Sequence, residues 1–377
     1  MALRVRYHCL IVVSLLIFFS IWTFNHQWDS PKEKRIHIII LSSWRSGSSF
    51  LGQIFNHNPN VFYIYEPARM VWVKLPNEKP SFLHYPIRDL LRSLFTCDMS
   101  PLHHYLPRRG RYISDLPFWW ESRALCSPPA CSAIDRDEEY DRPTCFQQCG
   151  YFPLDNMAHA CEVHSHVVLK TVRVLDLGVL LPLLQDSKLD LRIIHLVRDP
   201  RAVAFSRMNF GFLNQEDLQI VRENKKWKNK KQMPNITHVM DSICNAQVAI
   251  DEFRSKAGKS LRGQYMMIRY EDLAKEPLPI IEQIFNFASL RLTEGFQGWL
   301  YNITHQSRQK QGAFMNFALD SMKIIQKWRI GLNHNTVLKI QNKCRNAMEI
   351  FGYGHVESLK EQHDLNSDVL TEVKKNQ

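Results

Sequence analysis

A chain of 377 residues that is 45% hydrophobic and 23% charged has ordinary globular composition, with enough apolar residues for one large core or two smaller ones. Intrinsic disorder is therefore excluded as the default state. A net charge of +11 points to acidic partners, although the positive residues are spread out apart from Lys225-Lys-Trp-Lys-Asn-Lys-Lys231, a run that reads as a solvated loop or as a contact for an anionic glycan.

In chain order, Arg4 and Arg6 precede an apolar run from Cys9 to Phe24, broken only by Ser14, Ser20 and Thr23. A cleaved signal peptide would end in small residues, and this segment ends in Ile21-Trp-Thr-Phe24. Sixteen residues is short against the span of roughly 20 that a bilayer requires, so a buried core helix is the competing reading; thin early-secretory bilayers accept shorter helices. The expectation is an uncleaved anchor at 9–24, with 1–8 cytoplasmic, 25–35 a short stem, 36–354 a luminal domain and 355–377 a polar tail. Lys32, Lys34 and Arg35 on the far side oppose this orientation. Eight cysteines follow the anchor: Cys97, Cys126, Cys131, Cys145, Cys149, Cys161, Cys244 and Cys344. An even set in a luminal chain points to disulfides, with zinc the alternative; about 105 connectivities leave the pairing open. The sequons at Asn235 and Asn302 fit the same compartment, and a luminal site argues against nucleic acid as a partner.

Ile36-His-Ile-Ile-Ile-Leu41 is a β-branched run too short for a helix and reads as a buried parallel strand. Similar runs recur at His166–Leu169, Leu191–Val197 and Tyr265–Ile268, separated by stretches of helical spacing such as Val174–Leu184. Strands alternating with helices predict an α/β fold with a parallel sheet flanked by helices. The stretch from Pro76 to Cys161, rich in Pro, Cys and aromatics and without a clear period, reads as an insertion held by disulfides.

Two segments carry the chemistry. The first strand runs into Ser42-Ser-Trp-Arg-Ser-Gly-Ser-Ser49, then into Phe50-Leu-Gly-Gln-Ile-Phe55, which can start a helix. A strand, a glycine turn and a helix N-terminus make an anion cradle: Gly47 frees the backbone, Ser46, Ser48 and Ser49 add hydroxyl donors, and Arg45 adds a planar cation. A Walker A loop it is not, for both the first glycine and the lysine of that pattern are missing. In the second segment, Leu196-Val-Arg-Asp-Pro-Arg-Ala-Val-Ala-Phe-Ser206, a strand ends, Asp199 can cap a helix, and Pro200 suits its first position. Arg198 and Ser206 are placed to converge on one phosphate.

These two segments resemble the sulfotransferase superfamily. Trp44, Arg45, Ser46, Gly47, Ser48, Ser49 and Phe50 look like its 5′-phosphosulfate loop. Arg198, Asp199, Pro200, Arg201, Ala202, Val203, Ala204, Phe205 and Ser206 look like its 3′-phosphate motif. With Ser122-Arg-Ala-Leu-Cys-Ser-Pro-Pro-Ala-Cys-Ser132 added, the chain over roughly 36–354 is most similar to the Golgi N-acetylglucosamine/galactose 6-O-sulfotransferases, and that cysteine-flanked segment favours N-acetylglucosamine acceptors. The resemblance implies a type II Golgi membrane protein with a P-loop-like sheet, the donor PAPS (3′-phosphoadenylyl sulfate) and a glycan acceptor on glycoproteins, with homo-oligomerisation left open; no metal is expected, because sulfonate bears less charge than a phosphoryl group and the sequence has no acidic pair resembling a magnesium site. Arg45 stands where cytosolic members usually carry Lys, and no His matches their base. Glu66, 21 residues after Arg45 in Tyr63-Ile-Tyr-Glu-Pro67, is placed similarly to the glutamate base of tyrosylprotein sulfotransferases.

The expected reaction is in-line transfer of sulfonate to a sugar 6-hydroxyl, with Glu66 as base and Arg45 among the groups that stabilise the departing phosphate. Arg207, Lys170, Arg173, Arg269 and Arg329 are lesser candidates for contacts. Galactose or N-acetylgalactosamine acceptors are the alternatives. A non-catalytic glycan-binding membrane protein and a variant P-loop phosphotransferase are the rival classes.

Overall fold

The chain runs through β1 (Ile36–Ser42), α1 (Ser48–Asn56), β2 (Val61–Tyr65), α2 (Ala68–Lys74) and α3 (Pro80–Phe95), then an irregular stretch with α4 (Arg142–Gln148). It continues through β3 (His166–Thr171), β4 (Asp190–Val197), α5 (Pro200–Met208), α6 (Ile236–Ala257), β5 (Tyr265–Arg269), α7 (Tyr270–Lys275), α8 (Pro277–Ala288), α9 (Ser321–Gly331) and α10 (His334–Phe351). This computed structural model describes residues 34–106, 111–136, 138, 140–209, 214–222, 234–305 and 321–373. The expected anchor at 9–24, its cytoplasmic flank and the Lys225–Lys231 run lie outside those residues. Among the described residues no helix is long and apolar enough to cross a membrane.

The described strands form one parallel sheet in the order β2-β3-β1-β4-β5. β2, five residues long and tyrosine-bearing, was not among the strands expected from the sequence. Because strand side chains alternate between faces, Ile39 and Leu41 enter one core with Phe62, Leu169 and Ile193, while Ile38 and Ile40 enter a second with Tyr63, Val168, Ile194 and α8. Both faces are covered, which is why these strands read as continuous apolar runs. From β1 the chain moves to one side of the sheet and from β4 to the other, so the crevice beyond their carboxyl ends is a topological switch point, where open α/β sheets bind ligands. Ser42 Oγ donates to the Leu196 carbonyl at 2.7 Å and staples those two ends together.

Three expectations change. The insertion between β2 and β3 is not aperiodic at its start: Leu83, Ile87, Leu90, Leu91 and Leu94 are the buried stripe of α3, disguised by Pro86 within the helix. Val174–Leu184 is a 3₁₀ turn, Leu177–Leu180, running into one α-turn, Leu181–Leu184, with Pro182 at its start. Residues 355–373, expected as a polar tail, pack back onto the domain. Gln362 is fully buried, donating to the carbonyls of Arg329 and Leu332, and Arg329 donates to the carbonyls of Glu361, Gln362 and Ser367.

All eight cysteines expected to pair do so: Cys97–Cys161, Cys126–Cys145, Cys131–Cys149 and Cys244–Cys344. The two closely spaced pairs are not bonded within themselves. They are cross-linked rung by rung, which ties 126–131 to α4. Asn235 and Asn302 are both exposed, Asn235 as the cap of α6 with its side chain accepting from the His238 N–H.

Candidate active site

The loop between β1 and α1 bends through two left-handed residues, Arg45 (φ 69°) and Gly47 (φ 87°). Glycine is required at the second for another reason too: a Cβ there would lie 2.2 Å from the ring of Tyr270. The turn delivers the first N–H groups of α1, which no helix satisfies internally, to the crevice above β1. Its hydroxyls are already oriented, with Ser43 and Ser46 sharing a 2.7 Å hydrogen bond and Ser49 one of 3.1 Å with the Tyr65 hydroxyl. Phe50 packs against the second core.

At the end of β4, Asp199 caps α5 by accepting from the Arg201 N–H, with Pro200 in the first turn. Arg198 reaches back to donate to the Arg45 carbonyl at 2.9 Å, and Arg45 Nε donates to Ser206 Oγ at 2.9 Å. The two motifs, more than 150 residues apart in sequence, thus meet on Arg45. Arg198 lies over the Tyr270 ring at 4.6 Å, and its buried Nε finds no hydrogen-bond acceptor among the described residues. Burial and the neighbouring charges of Arg198 and Arg207 push the pKa of Arg45 below the ordinary arginine range, though Tyr65 opposes them. Cations held this close to one another favour an anion between them.

The remaining motif residues do other work. Arg201 is fully buried in an ion pair with Asp199, donating to Gln341 at 2.7 Å and stacked on Trp328, so its side chain is not a ligand contact. Ala202, Val203 and Ala204 are in the main core, and Phe205 fills the space beside Gly331 on α9. An α-helix turns 100° per residue, so only part of a nine-residue motif can face one crevice. Trp44 is buried against Trp72 and the guanidiniums of Arg173 and Arg207.

Glu66 follows β2, also in a left-handed conformation (φ 54°), and is only 5% exposed, so it is not a surface-turn residue. Its carboxylate pairs with Lys170 at 2.5 Å and with Arg173. Burial pushes its pKa up, but Lys170, Arg173 and Arg69 pull harder and leave it below the usual carboxylate range. Lys170 and Arg173, minor candidates in the sequence, are thus brought directly onto Glu66. Arg269 and Arg329 are not: Arg269 pairs with Asp272 and the carbonyls of Gly352 and Thr371, and Arg329 holds the C-terminal segment.

Sequence reasoning missed Tyr270, Glu271 and Glu121. Glu271 accepts from the Asp199 N–H at 3.0 Å and from the Tyr353 hydroxyl at 2.9 Å; burial, and then Asp199, raise its pKa to about 7. Glu121 takes Arg142 at 2.8 Å and Gln53 at 3.1 Å, and burial raises it to about 7 against the pull of Arg142 and Lys170. The only signal for the first two was their place immediately after β5. Glu121 lay in a stretch without legible period.

The sulfotransferase domain family matches residues 35–351. Carbohydrate sulfotransferase 5 of Homo sapiens is 42% identical over 342 residues, covering 90% of this chain and 82% of that protein. Carbohydrate sulfotransferase 6 of Homo sapiens is 43% identical over 342 residues, covering 90% and 86%. Of solved structures, the sulfotransferase domain from the curacin biosynthetic pathway aligns with a TM-score of 0.42 at 15% identity, over 83% of this chain and 96% of that one. By the family match and those identities, the chain belongs to the carbohydrate sulfotransferase family.

Proposed function

We propose that this protein transfers sulfonate from PAPS to the 6-hydroxyl of N-acetylglucosamine residues in glycoprotein glycans. The observation that carries the reading is the meeting of Arg45, Arg198 and Ser206 at the switch point, with the Glu66 carboxylate at a strand end on the same edge of the sheet. The donor fits what is present: a cation cluster whose buried Arg198 Nε has no acceptor among the described residues, a helix N-terminus, and a turn that a Cβ would block. When bound, PAPS supplies an activated sulfonate whose leaving group is adenosine 3′,5′-bisphosphate.

The chain's own groups then divide the work. Arg45, the loop hydroxyls and the first N–H groups of α1 hold the 5′ anions and neutralise charge at the departing phosphate. Arg198 and Ser206 hold the 3′-phosphate. Glu66, ionised at neutral pH, accepts the hydroxyl proton. Its depressed pKa makes it a weak base in the ground state; an attacking hydroxyl turns strongly acidic as its new bond forms, so the proton moves late. The N-acetylglucosamine preference rests on the Ser122–Ser132 segment. Placement as a type II Golgi membrane protein, with 36–354 luminal and glycans on Asn235 and Asn302, rests on residues 9–24, the sequons and the disulfides.

The test is transfer of labelled sulfate from PAPS to oligosaccharides ending in N-acetylglucosamine, galactose or N-acetylgalactosamine. Label on the N-acetylglucosamine 6-position supports the assignment; label confined to galactose or N-acetylgalactosamine reassigns the acceptor. Binding of glycan without transfer would make the protein a lectin-like relative.

A further inference from the structure

We infer that Phe118, with Arg69 and Trp120 beside it, is the face on which the acceptor's sugar ring stacks; this rests on reading the site as one that takes a sugar hydroxyl. Phe118 comes from the disulfide-tied insertion, in Leu116-Pro-Phe-Trp-Trp-Glu121, yet its ring lands against Tyr65, over whose ring the Lys170 ammonium that pairs with Glu66 lies at 4.0 Å. It sits edge-on to Tyr65 at 5.2 Å and to Trp120 at 5.9 Å, and the Arg69 guanidinium lies 5.5 Å from its centre. Tyr65 immediately precedes Glu66 and shares a hydrogen bond with Ser49 of the anion loop. Arg69 donates its backbone N–H to the Glu66 carbonyl at 3.0 Å. Phe118, Trp120 and Arg69 are all half-buried, whereas Glu66 and Glu121 are buried but not sealed, at 5% and 4% exposure.

Phe118 is also held in a left-handed backbone conformation, φ 59°. A bulky aromatic is strained there, and the conformation persists only where the surroundings over-determine it. Here they do: the Glu121 N–H donates to the Phe118 carbonyl at 2.9 Å, and Glu121 is clamped by Arg142 on α4 and Gln53 on α1. The strained turn is thereby fixed both to the disulfide ladder and to the helix that opens the anion loop. A pyranose presents one face of C–H groups, weakly positive and apolar, which suits the negative face of an aromatic ring, while a neighbouring guanidinium offers donors to hydroxyl oxygens. A rigid ring against Tyr65, one residue before the base, would orient the sugar so that its 6-hydroxyl meets Glu66.

The experiment compares Phe118→Leu and Phe118→Tyr, using a β-linked N-acetylglucosamine disaccharide as acceptor and adenosine 3′,5′-bisphosphate binding as the check on folding. Leu keeps apolar bulk and loses the flat ring; Tyr keeps the ring. We expect Phe118→Leu to raise the acceptor KM about tenfold or more while nucleotide affinity holds, and Phe118→Tyr to stay within about threefold of wild type. Acceptor KM unchanged in Phe118→Leu, or equal losses in both variants, would assign the ring to packing alone. A Phe118→Leu protein that also loses nucleotide affinity would overturn the inference in the same way. Wild-type protein that transfers no sulfonate to any glycoside would instead sink the functional reading and take this inference with it.

Discussion

Arg198 and Arg201 stand within one helical turn of each other, and the structure gives them opposite duties. Arg198 is half-buried, and its Nε has no acceptor among the described residues, while Arg201 is sealed against Asp199, Gln341 and Trp328. Arg198→Ala should weaken adenosine 3′,5′-bisphosphate binding about tenfold or more, the loss of one charge-assisted contact at roughly 1.5–3 kcal/mol, with little change in melting temperature. Arg201→Ala should do the reverse in kind: it strands the buried Asp199 carboxylate and costs about 3–5 kcal/mol of stability. Calorimetric titration and thermal unfolding of the two variants separate the roles, and the same melting loss in both would refute the division. From Arg-Asp-Pro-Arg alone this was not legible, because which arginine faces inward depends on α10 and α9 arriving from residues 321–351. Glu66 was legible by spacing; its burial and its two cation partners were not. Its depressed pKa has a kinetic consequence. A base must be deprotonated to act, so kcat should stay flat from pH 7 down to about 5, falling only below the usual glutamate range. A limb with its midpoint near 7 would instead point to a carboxyl such as Glu121, which burial holds at about 7.

Among the elements, the strand–turn–helix units were the most readable part of the chain, since short β-branched runs buried on both faces have no polar alternation to confuse them. The insertion was the least readable. Its first helix hides behind Pro86, and its later part is held by cross-linked cysteines and by Arg142, Glu121 and Gln53 rather than by a periodic apolar face. The β1–α1 turn depends on a contact from elsewhere, the Tyr270 ring after β5. Gly47→Ala must relieve a left-handed backbone and a 2.2 Å clash at once, so the turn has to move. We expect at least a tenfold loss of nucleotide affinity, roughly 1.4 kcal/mol or more, measured by titration. Affinity equal to wild type would mean that the turn does not form the cradle.

For the whole molecule, the resemblance to the 6-O-sulfotransferases runs to about residue 354, and the residues beyond are polar. Their polarity has a structural use: carbonyls of Glu361, Gln362 and Ser367 surround the buried Arg329 guanidinium, and Lys275 pairs with Asp368 at 2.5 Å. Arg269 likewise spends a donor on the Thr371 carbonyl. Ending the chain at 354 would leave Arg329 buried without these acceptors, and an unpaired buried charge costs several kcal/mol. Such a truncation should lower the melting temperature by about 10 °C or more, or fail to fold; a melting curve like that of the full chain would show the segment to be dispensable.

The proposed function sets a nucleotide cradle between β1 and β4 facing a proton acceptor at the end of β2. The most direct test is single-turnover transfer of labelled sulfonate from PAPS by the Glu66→Gln protein, with adenosine 3′,5′-bisphosphate binding measured in parallel. Glutamine keeps the size of the side chain and removes the proton acceptor. Nucleotide affinity near wild type is expected, with a transfer rate lower by about 10²–10⁴-fold. Transfer at near the wild-type rate in a folded, nucleotide-binding Glu66→Gln protein would contradict it, leaving Glu66 as an anchor for Lys170 and Arg173.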